Sequence, residues 1–234
     1  MALGETTLDL AGRRVMVRFQ RNHRARRIIL RLDHDGAEDG VVVILPGRTS
    51  SEEGLGLVRD KADWVLARLD GLEPRLPFAD GAVVPLGGVD HVIRHTGEKR
   101  GVARCEGGEI LVTGRLEHLA RRVRDWFRAE ARARIRPRMR DKASVLGRTP
   151  GRLSIRDTKS RWGSCSHDGN LSFCWRLVMA PESVLDYVVA HEVAHLAEHN
   201  HGPEFWRLVG TLTADMDGGR DWLKRHGGTL HRIG

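Results

Sequence analysis

The chain has 234 residues, of which 40% are hydrophobic and 30% charged, with a formal net charge of +8 at pH 7. That length supports a sizeable core in one large domain or two small ones, and three cysteines without zinc-finger spacing exclude a disulfide framework and fit a reducing compartment. Residues 1–13 lack a basic, then apolar leader and no stretch is apolar for long enough to span a bilayer, so a soluble cytoplasmic protein is expected.

The first third reads as a small sheet followed by a helix. Arg14 to Phe19 alternates, Ile28 to Leu32 is β-prone, and Val41 to Leu45 is an apolar run before Pro46. Ser51-Glu52-Glu53 then opens a single helix through Trp64 and Leu69, which Gly71 ends. From Phe78 to Val112 short β-like segments return, separated by Gly81, Gly87-Gly88, Gly97 and Gly107-Gly108.

A long helical segment follows from Leu116 to Leu146, with Leu119, Val123, Trp126 and Phe127 as an apolar stripe and a disruption expected at Pro137. Nine arginines crowd it between Arg121 and Arg140, a candidate phosphate-contacting surface for nucleic acid. A solvated arginine-rich helix face explains the cluster about as well, and the scarcity of lysine, found only at positions 61, 99, 142, 159 and 224, points to coding bias. Leu153-Ser154-Ile155 reads as a strand, and Ser164-Cys165-Ser166 pairs with Leu171-Ser172-Phe173 around an Asp168-Gly169 turn. Cys165 is expected to be a small hydrophobe in preference to a thiolate on a metal. Pro181-Glu182 starts another helix, and two short helices around Phe205-Trp206 and Trp222-Leu223 close the chain. The expected class is α+β, divided into a β-rich region over 1–115 and a catalytic domain over 116–234.

The chemistry lies in His191-Glu192-Val193-Ala194-His195, the HExxH pattern. On a helix, residues four apart lie about 40° apart in projection and one turn apart along the axis, so both imidazoles can meet one zinc ion at about 2.0–2.1 Å. Glu192 at the edge of that face reaches a zinc-bound water, the place of a general base. Val189, Val193 and Leu196 project the other way, which predicts an amphipathic helix. His199 would lie about 12 Å along the axis from His191, too far to share the ion. His201 is the better third ligand, returned by a left-handed turn at Asn200 and followed by Pro203 as the first residue of a new helix. Tyr187, Arg161 and His199 are the candidate substrate or oxyanion contacts, with none preferred.

Three separated motifs, Lys159-Ser160-Arg161-Trp162-Gly163-Ser164-Cys165, Asp186 to Glu192 and Asn200 to Trp206, together resemble the YgjP-like zinc metallopeptidase family. The resemblance covers most of the chain, from an Arg24-Ala25-Arg26 strand to Trp222-Leu223-Lys224, and departs from the common pattern at Gly202 and Val193. It implies a zincin-like catalytic domain, distantly related to SprT-like proteases, with zinc held at the positions of His191, His195 and His201. The reaction it implies is hydrolysis of a polypeptide, with Glu192 as base. Some family members carry another label, hydrolysis of a nucleoside triphosphate to monophosphate and pyrophosphate, and a third reading is a protease recruited to nucleic acid.

Overall fold

The first reversal of the chain is a two-residue turn, Ala11-Gly12, in which both residues have positive φ (52° and 83°). Such a turn matches the right-handed twist of the strands it joins, and it closes an antiparallel hairpin of β1 (Ala2–Leu10) and β2 (Arg13–Arg21). The computed structural model describes residues 2–33, 39–159 and 161–234, so Ser160 of the first motif lies outside the described residues. With β3 (Ile29–Asp33) and β4 (Gly40–Leu45) the hairpin forms a four-stranded sheet in the order β1-β2-β4-β3. Strand β1 was not expected. The segment read as an Arg24-Ala25-Arg26 strand is a turn and loop before β3.

Two helices, α1 (Ser51–Asp60) and α2 (Ala62–Asp70), replace the single helix expected there. The backbone leaves helical geometry at Lys61 (φ −108°, ψ 22°), and the start is fixed by a capping box in which Ser50 and Glu53 satisfy each other's backbone N–H groups. Leu10 of β1, Val15, Val17 and Phe19 of β2, Val41, Val43 and Leu45 of β4, and Val58, Val65 and Leu69 form the core of this unit.

The chain divides into Met1–Pro74 and Arg75–Gly234, so the boundary expected near residue 115 falls inside the second unit. The reason is packing. Val84, Leu86, Ile93, Ile110 and Val112 belong to the same core as Phe127, Trp175 and Val189. They lie on β5 (Val83–Leu86), β6 (Val89–His95), β7 (Arg104–Glu106) and β8 (Glu109–Val112), a sheet ordered β5-β6-β8-β7. Its two hairpins turn on Gly87-Gly88 and Gly107-Gly108, all four at positive φ.

A short 3₁₀ turn, Leu116–His118, leads into α3 (Leu119–Val145), which runs unbroken through Pro137. Every fourth residue of α3 from Leu119 to Ala143 is buried, the spacing that keeps side chains on one slowly drifting face. Next come β9 (Leu153–Arg156), β10 (Gly163–Cys165) and β11 (Leu171–Cys174), ordered β10-β11-β9, with the expected hairpin pairing Ser164 with Ser172 and Gly169 at positive φ. A 3₁₀ turn, Trp175–Met179, connects to α4 (Glu182–Ala194), α5 (Pro203–Leu212) and α6 (Met216–Leu230). Helices and sheets occupy separate stretches, so the class is α+β. No described helix is long and apolar enough to cross a membrane.

Two side chains tie this unit together. Phe127 stacks on Phe78 (ring centroids 5.6 Å) and lies 5.9 Å from Trp175. Arg176, 1% exposed, sits over the Trp175 ring and pairs with Asp157, while its Nε donates to the Ile233 carbonyl at 2.9 Å. One buried cation thus links the end of β9 to the last residues. Burial pushes the Asp157 carboxyl up, but the hydrogen bond and charge of Arg176 outweigh it and leave the group below its ordinary value. A carboxyl lowered in the folded state contributes stability above its unfolded pKa of about 3.9 and loses it as pH falls through the folded value. Arg176→Met is therefore expected to cost about 3 kcal/mol at pH 7 and to shrink the loss of stability below about pH 4. Circular-dichroism melts across pH check this; an acid-side loss as steep in the variant as in the parent would contradict it.

Candidate functional site

Helix α4 carries His191 and is capped by His195, but it is not amphipathic. Val184, Leu185, Val188, Val189, Ala190, Val193 and Ala194 are all buried, so apolar residues lie on most sides of the axis, and its second half, from Tyr187 to Glu192, borders a cavity. The helix also ends sooner than expected. Ala194 is its last residue, and the Ala194 carbonyl accepts from the N–H groups of Ala197 and Glu198, both at 3.0 Å. His199 is therefore off the helix. The turn back does not use a left-handed Asn200, since Ala11 is the only described non-glycine residue at positive φ. Instead the Gly202 N–H reaches the Asn200 carbonyl at 2.7 Å and the Asn200 N–H reaches Glu198 Oε1 at 3.0 Å. Pro203 opens α5 with Glu204 in its first turn, as expected.

This local geometry brings His191, His195 and His201 together, with one ring nitrogen from each within 4.8 Å of the others. His191 Nε2 and His201 Nε2 face each other at 3.2 Å. Two nitrogens about 2.0–2.1 Å from one tetrahedral ion would be about 3.3 Å apart, so the spacing is that of a tetrahedral edge. Burial and the neighbouring His195 and His201 push the His191 imidazole down to about 4, and burial lowers His195 despite its hydrogen bond to a carbonyl. Neutral imidazole is the form that ligates a metal. His195 Nδ1 donates to the Glu198 carbonyl at 3.0 Å, which directs Nε2 toward the cluster. His191 Nδ1 is buried with no hydrogen-bond partner among the described residues. The donor set fits a divalent cation.

Glu192 faces the neighbouring cavity. It is 7% exposed, and burial pushes its carboxyl up to about 7, with the Arg161 charge pulling the other way. A cavity of about 280 Å³ is lined by Glu192, His191, Tyr187, Arg161, Trp162 and Gly163, with Val188 and Leu223 beside them. Of the three candidate contacts, the structure brings Tyr187 and Arg161 beside Glu192. His199 lies elsewhere, its ring stacked on His167 (5.5 Å) in a hollow shared with His195. Trp162 stacks on His231 at 4.4 Å, so the side chain read as packing both packs and lines the cavity. Cys165 lies opposite Leu171, away from Cys174, and burial pushes its thiol up with the Glu192 charge adding to the effect.

Two features escaped the sequence reading. Strand β10 passes so close to Glu192 that a Cβ on Gly163 would fall 2.5 Å from Glu192 Cγ and 2.6 Å from Oε1. Gly163 therefore makes room for the carboxylate. Phe205 of α5 closes the other side, with its ring centroid 4.9, 4.5 and 4.6 Å from those of His191, His195 and His201. The Gly in a strand and the apolar residue early in a helix next to the histidines were the available signals.

An apolar helix ending beside three converging imidazoles, with a buried carboxylate next to them, has the makings of a metal-dependent hydrolase. The family profile described as "YgjP-like, metallopeptidase domain" matches residues 26–226, and the chain belongs to this family. No curated protein matches the sequence. Among solved structures, the crystal structure of the metallopeptidase zymogen of Pyrococcus abyssi abylysin is similar at 22% identity, over 42% of this chain and 97% of that chain, with a TM-score of 0.36.

The cluster makes a direct prediction for metal retention. Ala at His191, His195 or His201 is expected to weaken divalent-metal binding by more than about 100-fold, whereas His199→Ala retains about one ion per chain. Metal content after dialysis, measured by atomic emission, checks it; equal retention in His201→Ala and His199→Ala would refute the ligand set.

Proposed function

We propose that the chain is a zinc peptidase in which His191, His195 and His201 hold the metal and Glu192 is the general base. The observation that carries this reading is the buried Glu192 carboxylate set against the three-imidazole cluster and opening into a cavity. Zinc bound there would supply Lewis acidity toward the scissile carbonyl and toward the attacking water. Glu192 takes a proton from that water as the water oxygen adds to the carbonyl carbon, moving the C=O electrons onto the carbonyl oxygen. It then passes the proton to the amine nitrogen as the carbonyl re-forms and the peptide C–N bond breaks. Its raised affinity for protons suits both transfers. Tyr187 and Arg161, which line the same cavity as Glu192, would donate to the developing oxyanion.

A polypeptide substrate is supported by what surrounds the carboxylate. β10 is an edge strand of its sheet and lies directly on Glu192, so an extended backbone can add to it by main-chain hydrogen bonds. The cavity beside it mixes Trp162, Val188 and Leu223 with few charges, suiting a side chain. One observation favours nucleoside triphosphate hydrolysis at the same centre, namely Arg161 in the same cavity as Glu192. That is a single cation for three phosphates, and the sequence has no glycine-rich phosphate loop.

Zinc-loaded protein and its Glu192→Gln variant, assayed on casein-like polypeptides and on nucleoside triphosphates, separate the two. Peptide cleavage is expected in the parent and a loss of roughly 10²–10⁴-fold in the variant, with zinc content unchanged. Pyrophosphate release that vanishes in the variant, without peptide cleavage, would replace the peptidase. Gly163→Ala should also lower the rate by about 10²-fold, because its methyl group displaces Glu192. Loss of zinc along with the activity would show a different cause.

A further inference from the structure

Helix α3 carries two arginine stripes, one on each flank of its buried face, and they have opposite fates. Arg134, Arg138 and Lys142 meet the acidic side chains of α4: Arg138 pairs with Glu182 at 2.7 Å, Lys142 with Asp186 at 2.8 Å, and Arg134 also binds Glu182. These charges are structural. Arg132, Arg136 and Arg140, on the other flank, line a groove of about 770 Å³ with Arg148 and Arg152 from the loop before β9. No carboxylate lines this groove, and among the described residues none of the five arginines pairs with one. Among the described residues, the one side-chain hydrogen bond of the five runs from Arg132 Nη1 to the Leu153 carbonyl at 3.5 Å. All five are exposed. Like charges gathered in a concavity repel one another and favour an anionic ligand.

The groove also leads somewhere. Gly147, Arg148 and Thr149 line a second hollow of about 320 Å³, whose far wall is His195, Leu196 and His199. The arginines thus run up to the histidine cluster on the His195 side, while Glu192 and its cavity lie on the His191 side. A chain crossing the cluster from the Glu192 cavity leaves past His195 into the arginines.

We propose that this groove binds an acidic segment of the polypeptide being cleaved, on one side of the scissile bond, which rests on the peptidase reading above. A guanidinium takes a carboxylate through two parallel hydrogen bonds, and arginines one helical turn apart match the spacing of alternate acidic side chains on one face of an extended segment. Nucleic acid fits less well: no aromatic ring lines the groove, and single strands rely on such rings to stack their bases.

The test compares fluorogenic peptides that share a scissile segment and are extended by glutamates or by serines, at either end in turn. The full-length zinc-loaded chain is expected to prefer the glutamate extension about tenfold in kcat/KM, at one end only, through KM, and less so as salt rises. In the Arg136→Gln, Arg140→Gln double variant that ratio falls toward unity, whereas Arg121→Gln with Arg225→Gln, equal in charge but outside the groove, keeps it. A ratio retained in the groove variant, or lost equally in both, overturns the proposal. If no peptide is cleaved, the peptidase reading falls separately, and fluorescence anisotropy of the labelled glutamate peptide still decides the groove. Binding about tenfold weaker in the groove variant alone supports the site; equal binding overturns it. Tighter, groove-dependent binding of a single-stranded oligonucleotide that displaces the peptide overturns it in favour of nucleic acid.

Discussion

Burial of α4 on nearly every side is the constraint on which the second unit depends. A helix of 13 residues packed against α3, α5, α6, β10 and the Trp175–Met179 turn leaves little room for unpaired polar groups along its length. Glu182 and Asp186 are paired with cations of α3, while His191 and Glu192 lie near its end beside the cavity, where desolvation acts on both. It holds His191 neutral and pushes Glu192 toward protonation. Both shifts leave the centre short of positive charge, and a cation supplied at the imidazoles would answer both.

The same packing explains what could be read without a structure. The spacing of His191 and His195 is local, so helix geometry alone places them on one face, and His201 follows because the break at Gly202-Pro203 lies so near. The α+β class was legible from the alternation of β-prone segments and long helical stretches. Gly163 was not, because its importance lies in a contact with Glu192 on a different element. Phe205 is similar: its position marks it as a core residue of α5, and only the fold turns its ring toward three histidines. The two units of the structure divide at a place other than residue 115 for a related reason. Short strands from Val83 to Val112 look like those of the first sheet, yet their inward side chains join the core around Phe127.

The arginine run was ambiguous in sequence because one helix was carrying two jobs. Positions 134, 138 and 142 share a flank, as do 132, 136 and 140, and nothing in their chemistry distinguishes them. The difference is made by α4, whose Glu182 and Asp186 face only the first set. Charge count therefore overstated the surface available to a polyanion, and partner geometry located what remains of it.

Those ion pairs also bear on the histidine cluster at the other end of α4. Glu182 lies in the first turn, where a negative charge complements the helix dipole, and Arg134 and Arg138 fix that end to α3. The opposite end directs the carbonyls of its last turn toward the region of the histidines, a favourable place for a cation. With β10 pressed onto Glu192 and Phe205 onto the imidazoles, α4 is held at both ends and along its sides. A histidine cluster beside so constrained a helix has little freedom to rearrange relative to Glu192, so on the peptidase reading proposed above adaptation to different substrates would fall to the exposed rims, β10 on one side and the arginines beyond His195 on the other.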